Sequence, residues 1–240
     1  MSGLNDLVAE DGKLNMPGLG DGLGGSTNKD LMAAARTVLS GNWGLGILGY
    51  VLYIVLYMSF TMFVVTSVFF VGMVTAASGT DTVAATEAMN LFANLVQLLV
   101  AGAFTVGFMG FFLGIAQEGV ARLELLFVGF QRFWKSFGVY FFYTLFVFLW
   151  TLLFIVPGII ATFRYAMAFF IIADDGDCGP LEAIGRSKEM MKGKKWKFFC
   201  LHWRFFWWWL LATFFTFGIG YLWLVPYFQT ACAKFYEDVK

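Results

Sequence analysis

One uncharged run constrains this chain more than any other feature. From Gly44 to Ala77 there is no Asp, Glu, Lys or Arg. As a helix rising ~1.5 Å per residue, the run exceeds a ~30 Å hydrocarbon core and must tilt, bend or protrude. Composition agrees, since 60% of the 240 residues are hydrophobic and 13% charged. A soluble domain is roughly 45–50% apolar and about 25% charged, and its core could not hide this much apolar surface, so lipid must cover part of it. Thirty Phe, nine Trp and nine Tyr strengthen the point, because indole and phenol rings suit the headgroup layer.

The remaining chain divides by the same criterion. Residues 1–29 form a polar, Gly-rich arm without the basic-then-apolar order of a secretory signal. Insertion is therefore expected to be directed by the first span. Asn28–Ser40 reads as a short amphipathic helix with Asn28 as N-cap. Span one is Gly44–Ala77 and Ser78–Asn90 a polar loop. Span two is Leu91–Ala116, and Gln117–Lys135 a second amphipathic segment. Span three, Phe137–Val156, ends at Pro157-Gly158, and span four is Ile159–Ala173. After the acidic Asp174-Asp175-Gly176-Asp177, a third amphipathic helix covers Leu181–Lys197. Span five is Phe198–Phe215, Gly218 and Gly220 mark a turn, and span six runs to Ala233.

Basic residues test this division independently. Of 16 Lys and Arg, only Arg164 and Arg204 lie within spans. The others fall in the arm and the Asn28–Ser40 helix that follows it, the two cytoplasmic segments and the C-terminal end. This alternation obeys the positive-inside rule and predicts both termini in the cytoplasm. Cys178, Cys200 and Cys232 then lie near the reducing face and are expected to be unpaired. Three times, an amphipathic segment carrying Gly and Trp precedes a hairpin: Leu39-Ser40-Gly41-Asn42-Trp43, Gly129-Phe130-Gln131-Arg132-Phe133-Trp134, and Met191-Lys192-Gly193-Lys194-Lys195-Trp196. The expected fold is all-α, a polytopic membrane helix bundle of six transmembrane helices in three hairpins, each preceded by an interfacial helix. It occupies residues 30–240.

From Leu149 onward the pattern becomes specific. The runs LWTLLFIVPGIIATFRYAMAFFIIADD, EAIGRSKEMMKGKKW and GIGYLWLVPYFQTACAKFYED, with DLMAAARTVLSGNWG and GFQRFWKSFG before them, resemble an uncharacterised bacterial membrane family known as domain of unknown function 975. Its layout is similar to the membrane domains of some glycerophosphodiester phosphodiesterases, although this chain has no phosphodiesterase catalytic domain. The resemblance implies fold and a place in the bacterial cytoplasmic membrane, and transfers no activity. Trp203-Arg204-Phe205-Phe206-Trp207-Trp208-Trp209 is bulkier than the Ser- and Gly-containing stretch the family pattern implies.

Candidate chemistry is sparse. The spans contain no Asp, Glu or Lys away from their ends, and His202 is the sole histidine. An intramembrane acid–base pair has no candidates, and nucleophile-elbow, zinc-helix and phosphate-loop motifs are absent. No catalytic residue, metal site or cofactor is expected. Asp174, Asp175 and Asp177 suit helix capping and lysine balancing better than a cation site. Cys200 and His202 lack the spacing of a zinc site. Arg164, about six residues from the Pro157 turn, either snorkels to outer headgroups or contacts an anionic lipid or solute in a polar cavity. Asn94, Gln97 and Gln229 are the uncharged groups that would join it along a path. Ala103, Gly107, Gly110 and Gly114 share one face of span two and form a packing surface, within the chain or between copies. Arg186, Lys188, Lys192, Lys194, Lys195 and Lys197 form a basic segment at the membrane surface, attractive to anionic lipid or simply topology-setting. Zero net charge gives no global field for nucleic acid.

Two functions fit these residues. One is a non-enzymatic membrane scaffold or assembly component, homo-oligomeric or joined to another membrane protein. The other is a channel, permease or lipid-handling protein with a polar path near Arg164. Membrane lipids are partners in both.

Overall fold

The computed structural model describes residues 26–78 and 82–240. Every regular element among them is helical. Four segments are long and apolar enough to cross a membrane: Trp43–Ala77, Glu87–Glu118, Phe133–Leu153 and Ile155–Asp174. Of the arm expected at residues 1–29, residues 1–25 lie outside the described residues, as does the centre of the first loop.

Helix α1 (Asn28–Leu39) begins at Asn28, the residue expected to be its cap, so the cap lies one residue earlier. Thr27 is the N-cap, in a reciprocal box with Asp30: the Asp30 N–H donates to Thr27 Oγ1 at 3.3 Å, and the Thr27 N–H to Asp30 Oδ2 at 2.8 Å. Asn28 instead donates its amide to the Lys197 carbonyl at 2.9 Å. Leu31, Ala34, Ala35, Val38 and Leu39 recur at helical spacing and are buried. Removing Leu31 or Leu39 from water is worth ~1.5–3 kcal/mol each.

Helices α2 (Trp43–Ala77) and α3 (Thr82–Glu118) form a long antiparallel pair. Helix α3 starts inside the expected Ser78–Asn90 loop. Only the base of the pair is enclosed. Gly46 and Gly49 are the buried residues of α2, and a Cβ on Gly49 would lie 2.4 Å from the Phe111 ring. Farther out, Met62, Phe63, Phe69 and Phe70 are exposed.

A 3₁₀ turn (Leu123–Phe127) and the single-turn α4 (Val128–Gln131) lead into α5 (Phe133–Leu153). The chain reverses at Phe154, which is extended (φ −160°, ψ 148°), and not at Pro157-Gly158. Those two residues lie in the first turns of α6 (Ile155–Tyr165). Pro is tolerated there because the N–H it lacks would have no helical acceptor. Gly158 lets α6 close on α5: a Cβ would sit 2.2 Å from Thr151 Oγ1 and 2.9 Å from its Cα. After Ala166-Met167 the path continues as α7 (Ala168–Asp174).

Helix α8 (Pro180–Met190) is shorter than the expected Leu181–Lys197. Gly193, at φ +75°, breaks the path, and α9 (Lys195–Thr216) starts at residues expected to end the amphipathic segment. Helix α10 (Tyr221–Val239) then returns through the molecule, its second half buried from Thr230 to Tyr236. The main core joins α1, α3 and α5–α10, and a smaller cluster around Phe108, Phe111 and Phe112 seats the base of α2.

Candidate functional site

The acidic turn after α7 is a hub built from distant parts of the chain. Asp174 accepts from the Tyr236 hydroxyl (2.9 Å), the Gln117 amide (3.3 Å) and the Lys240 ammonium. Arg132, just before α5, donates to the carbonyls of Ile172 (2.8 Å) and Ala173 (3.1 Å), so a cation satisfies the C-terminal carbonyls of α7. Lys135 reaches the Gly176 carbonyl at 2.6 Å. Arg186 bridges Asp175 (2.8 Å) and Glu182 (3.0 Å), and its hydrogen bond holds the Asp175 carboxyl below the ordinary value of 3.8. A polar concavity of about 530 Å³ opens between Asp174, Asp175, Arg186, Glu189, Tyr236 and Lys240. Asp174 and Asp175 thus face different cations, and no metal-ready cluster of His, Cys, Asp or Glu occurs among the described residues. Instead of capping α8, Asp175 neutralises an arginine on it. The α8 start is closed by Glu182, which accepts from the Gly179 N–H at 3.4 Å.

The residues expected along a polar path are dispersed. Gln97 ties α3 to α2, donating to Tyr57 Oη (3.3 Å) and Thr61 Oγ1 (3.2 Å). Asn94 is exposed and donates to the carbonyl of Asn90, one turn back. Gln229 is half-buried on α10. Arg164 is on the last turn of α6, its guanidinium carbon 5.9 Å from the centroid of the Tyr165 ring. Its carbonyl accepts from Ser187 of α8 at 3.0 Å. Arg164 thus lies beside the amphipathic α8, at the end of α6 opposite the Phe154 reversal. No carboxylate among the described residues is within ion-pair distance of it. None of these four residues lines the concavities described here.

The small-residue face of α3 is occupied within the chain. Ala103, Gly107, Gly110 and Gly114 are buried and receive the 3₁₀ turn and α4. A Cβ on Gly107 would stand 1.9 Å from the Leu126 carbonyl oxygen, and one on Gly114 would stand 2.2 Å from Leu125 Cδ1. The fit is mutual, since a Cβ on Gly129 would meet the Ala103 carbonyl at 1.9 Å. Gly110 faces Ala173 of α7. The stripe is therefore an internal seat and leaves no seam for a second copy.

Of the basic segment, Lys197 pairs with Asp238 at 2.6 Å, and Ser26 Oγ donates to the same carboxylate at 2.5 Å. Burial opposes ionisation of Asp238, but these hydrogen bonds outweigh it and hold the group below 3.8. Arg186 is paired as described above. Lys188, Lys192, Lys194 and Lys195 make no ion pair among the described residues.

Helix α9 holds to the bundle along one narrow stripe. Phe198, Leu201, Phe205 and Ala212 are its buried residues and fall on one side at about 100° per residue. The opposite side carries Trp203, Phe206, Trp207, Leu210 and Phe214, all exposed. Trp203 stacks on Phe206 with ring centroids 5.4 Å apart, and Trp207 meets both rings edge-on. A groove flanks each side of the contact. One, about 270 Å³, lies against Phe228 and His202; the other, about 520 Å³, lies between α9, α10 and α1. His202 is packed among Phe163, Phe198 and Phe228, its ring nitrogen Nδ1 3.0 Å from the Phe198 carbonyl oxygen. None of these tertiary relations has a local sequence signal. The α9 face alone was visible, as the Trp203–Trp209 run.

The chain matches the family described as Protein of unknown function (DUF975) over residues 25–162 and 152–240. It belongs to DUF975. The match spans every described helix, including the Phe154 reversal that both matched stretches contain. Comparison with curated proteins and with solved structures gives no match.

Proposed function

We propose that this DUF975 chain is a non-enzymatic scaffold of the bacterial cytoplasmic membrane, crossing it six times with both termini inside. It self-associates through the outer face of α9. The four long apolar segments supply four crossings, and α9 and α10 supply the fifth and sixth. Helix α9 is 22 residues long, or ~33 Å at 1.5 Å per residue, enough for a ~30 Å core. Its hydropathy is depressed by Trp, whose N–H is polar although its ring is large and apolar.

The observation that carries the scaffold reading is the exposed aromatic stripe opposite the α9 attachment. In lipid, no hydrophobic force separates such a face from the acyl chains, and helix association depends on close packing. Rigid stacked rings lose little conformational entropy on packing and offer large contact areas. Native mass measurement in nanodiscs tests this reading. The wild type is expected as a dimer or higher oligomer, and Phe206→Ala with Trp207→Ala should shift it to monomer with the helix content unchanged. A monomeric wild type in both nanodiscs and gentle detergent would overturn self-association. Crossing number is tested separately, with a single cysteine at position 219 in a cysteine-free background. Labelling from the outside is expected, and labelling only from the cytoplasm would refute the fifth and sixth crossings.

A further inference from the structure

The groove between α9, α10 and α1 has a composition suited to one class of ligand. Its body is apolar: Trp208, Leu211 and Phe215 of α9 face Trp223 and Leu224 of α10. From Trp208 to Phe215 it extends ~10 Å along the helix at 1.5 Å per residue. Its mouth is different. Arg36, exposed on α1, lies beside Trp43, where amphipathic α1 gives way to apolar α2. The guanidinium carbon is 5.7 Å from the centroid of the Tyr227 ring, which fixes the side chain at the groove. No carboxylate among the described residues is within ion-pair distance of Arg36. An unneutralised cation, an interfacial indole and an apolar trough continue one another.

We propose that this groove binds one anionic phospholipid, with its phosphate on Arg36 and an acyl chain along Trp208, Leu211 and Phe215. Of the two grooves that flank the α9 contact, only this one carries a cation; Arg204 lines a third concavity, but all of its walls are on α9, with no second helix to enclose an acyl chain. The smaller groove on the other side of α9 is lined by Phe199, His202, Trp203, Phe205, Phe206, Trp209 and Phe228, with no Arg or Lys. A planar guanidinium donates two parallel hydrogen bonds to a phosphate. The site rests on α9 and α10 lying in the bilayer, and does not depend on self-association. A resident lipid there would fill the space that separates α9 from α1 and add to the narrow contact by which α9 is held.

Brominated acyl chains quench indole fluorescence on contact and so report occupancy. The protein is placed in nanodiscs of equal phosphatidylglycerol and phosphatidylcholine, with one species brominated at a time. The groove signal is the part removed by Trp208→Phe with Trp223→Phe. That signal should be about fivefold stronger with brominated phosphatidylglycerol, the equivalent of ~1 kcal/mol for one basic residue at the surface. Arg36→Gln should bring the ratio to about one, and Arg36→Lys should keep most of it. Equal quenching by both lipids in the wild type would overturn the site. Groove indoles that stay unquenched while Trp203 and Trp207 are quenched would show protein covering the groove, and would also overturn it. Quenching of none of these indoles would refute both the site and the membrane placement of α9.

Discussion

Replacing Gly107 by Ala tests how the α3 seat is built. The new Cβ would stand 1.9 Å from the Leu126 carbonyl oxygen and 2.8 Å from its carbonyl carbon. Both belong to backbone, and two residues after the 3₁₀ turn that carries them comes Gly129, itself pressed on the Ala103 carbonyl. Neither side has a flexible side-chain end that can swing away. Overpacking of this kind costs ~1–3 kcal/mol. For a chain of this size, each kcal/mol lowers Tm by about 2–4 °C, so a fall of roughly 2–12 °C is expected. Thermal unfolding in detergent, followed by circular dichroism, reads it. The matched control is Gly72→Ala, where nothing lies within 4 Å and helix propensity favours Ala by about 1 kcal/mol. Gly110→Ala should fall between them, because the Ala173 Cβ is 3.3 Å away. If Gly107→Ala melts at or above the wild-type temperature, the close approach of the turn to α3 is wrong.

Two further outcomes follow from the polar ends of the helices. Asp238 has a lowered pKa in the folded protein, so its contribution is fully present above the ordinary value of 3.8 and is lost as pH falls below it; an acid unfolding midpoint should rise in Lys197→Met and the acid sensitivity attributable to this pair should vanish in Asp238→Asn. Arg132→Ala strips the Ile172 and Ala173 carbonyls of their donor and should cost ~1.5–3 kcal/mol in a denaturant or thermal titration, with Arg132→Lys restoring only part of it, because one ammonium cannot reproduce the guanidinium's reach; an unchanged midpoint in Arg132→Ala would refute the capping role.

The sequence makes legible those features that act along one helix. The uncharged run places α2 within a residue of its start, and small-residue spacing marks the α3 seat. Features set by two helices meeting are misplaced. Pro157-Gly158 reads as a turn because both residues are common there, yet the reversal needs only one extended residue, Phe154, and the pair serves entry and close packing in α6. Moving that turn from Pro157 to Phe154 lengthens the stretch between the reversal and Arg164 by three residues. Gly193 is likewise hidden inside a basic run that looks continuous. The Asp174 hub is harder still: Gln117, Tyr236 and Lys240 lie 57, 62 and 66 positions away, and no periodicity connects them. Arg36 looks like an ordinary charge on an amphipathic helix until α9 and α10 place a trough beside it.

The length of α2 affects the bilayer itself. Its 35 residues make a rod of ~52 Å at 1.5 Å per residue. To fit wholly within a ~30 Å core, a straight rod must lean about 55°, beyond the roughly 40° limit seen for transmembrane helices. Helix α2 is buried only at its base, at Gly46 and Gly49, and Gln97 of α3 holds it as far out as Tyr57 and Thr61; nothing beyond that point forces the lean. The lipid next to Phe69, Phe70 and Met73 must stretch to stay in contact with them, at a cost of fractions of a kcal/mol for each ångström of mismatch. Two such thickened collars cost less when they overlap. In the membrane arrangement proposed above, overlap of two such collars would draw copies of the chain together before any side chain of one touched the other.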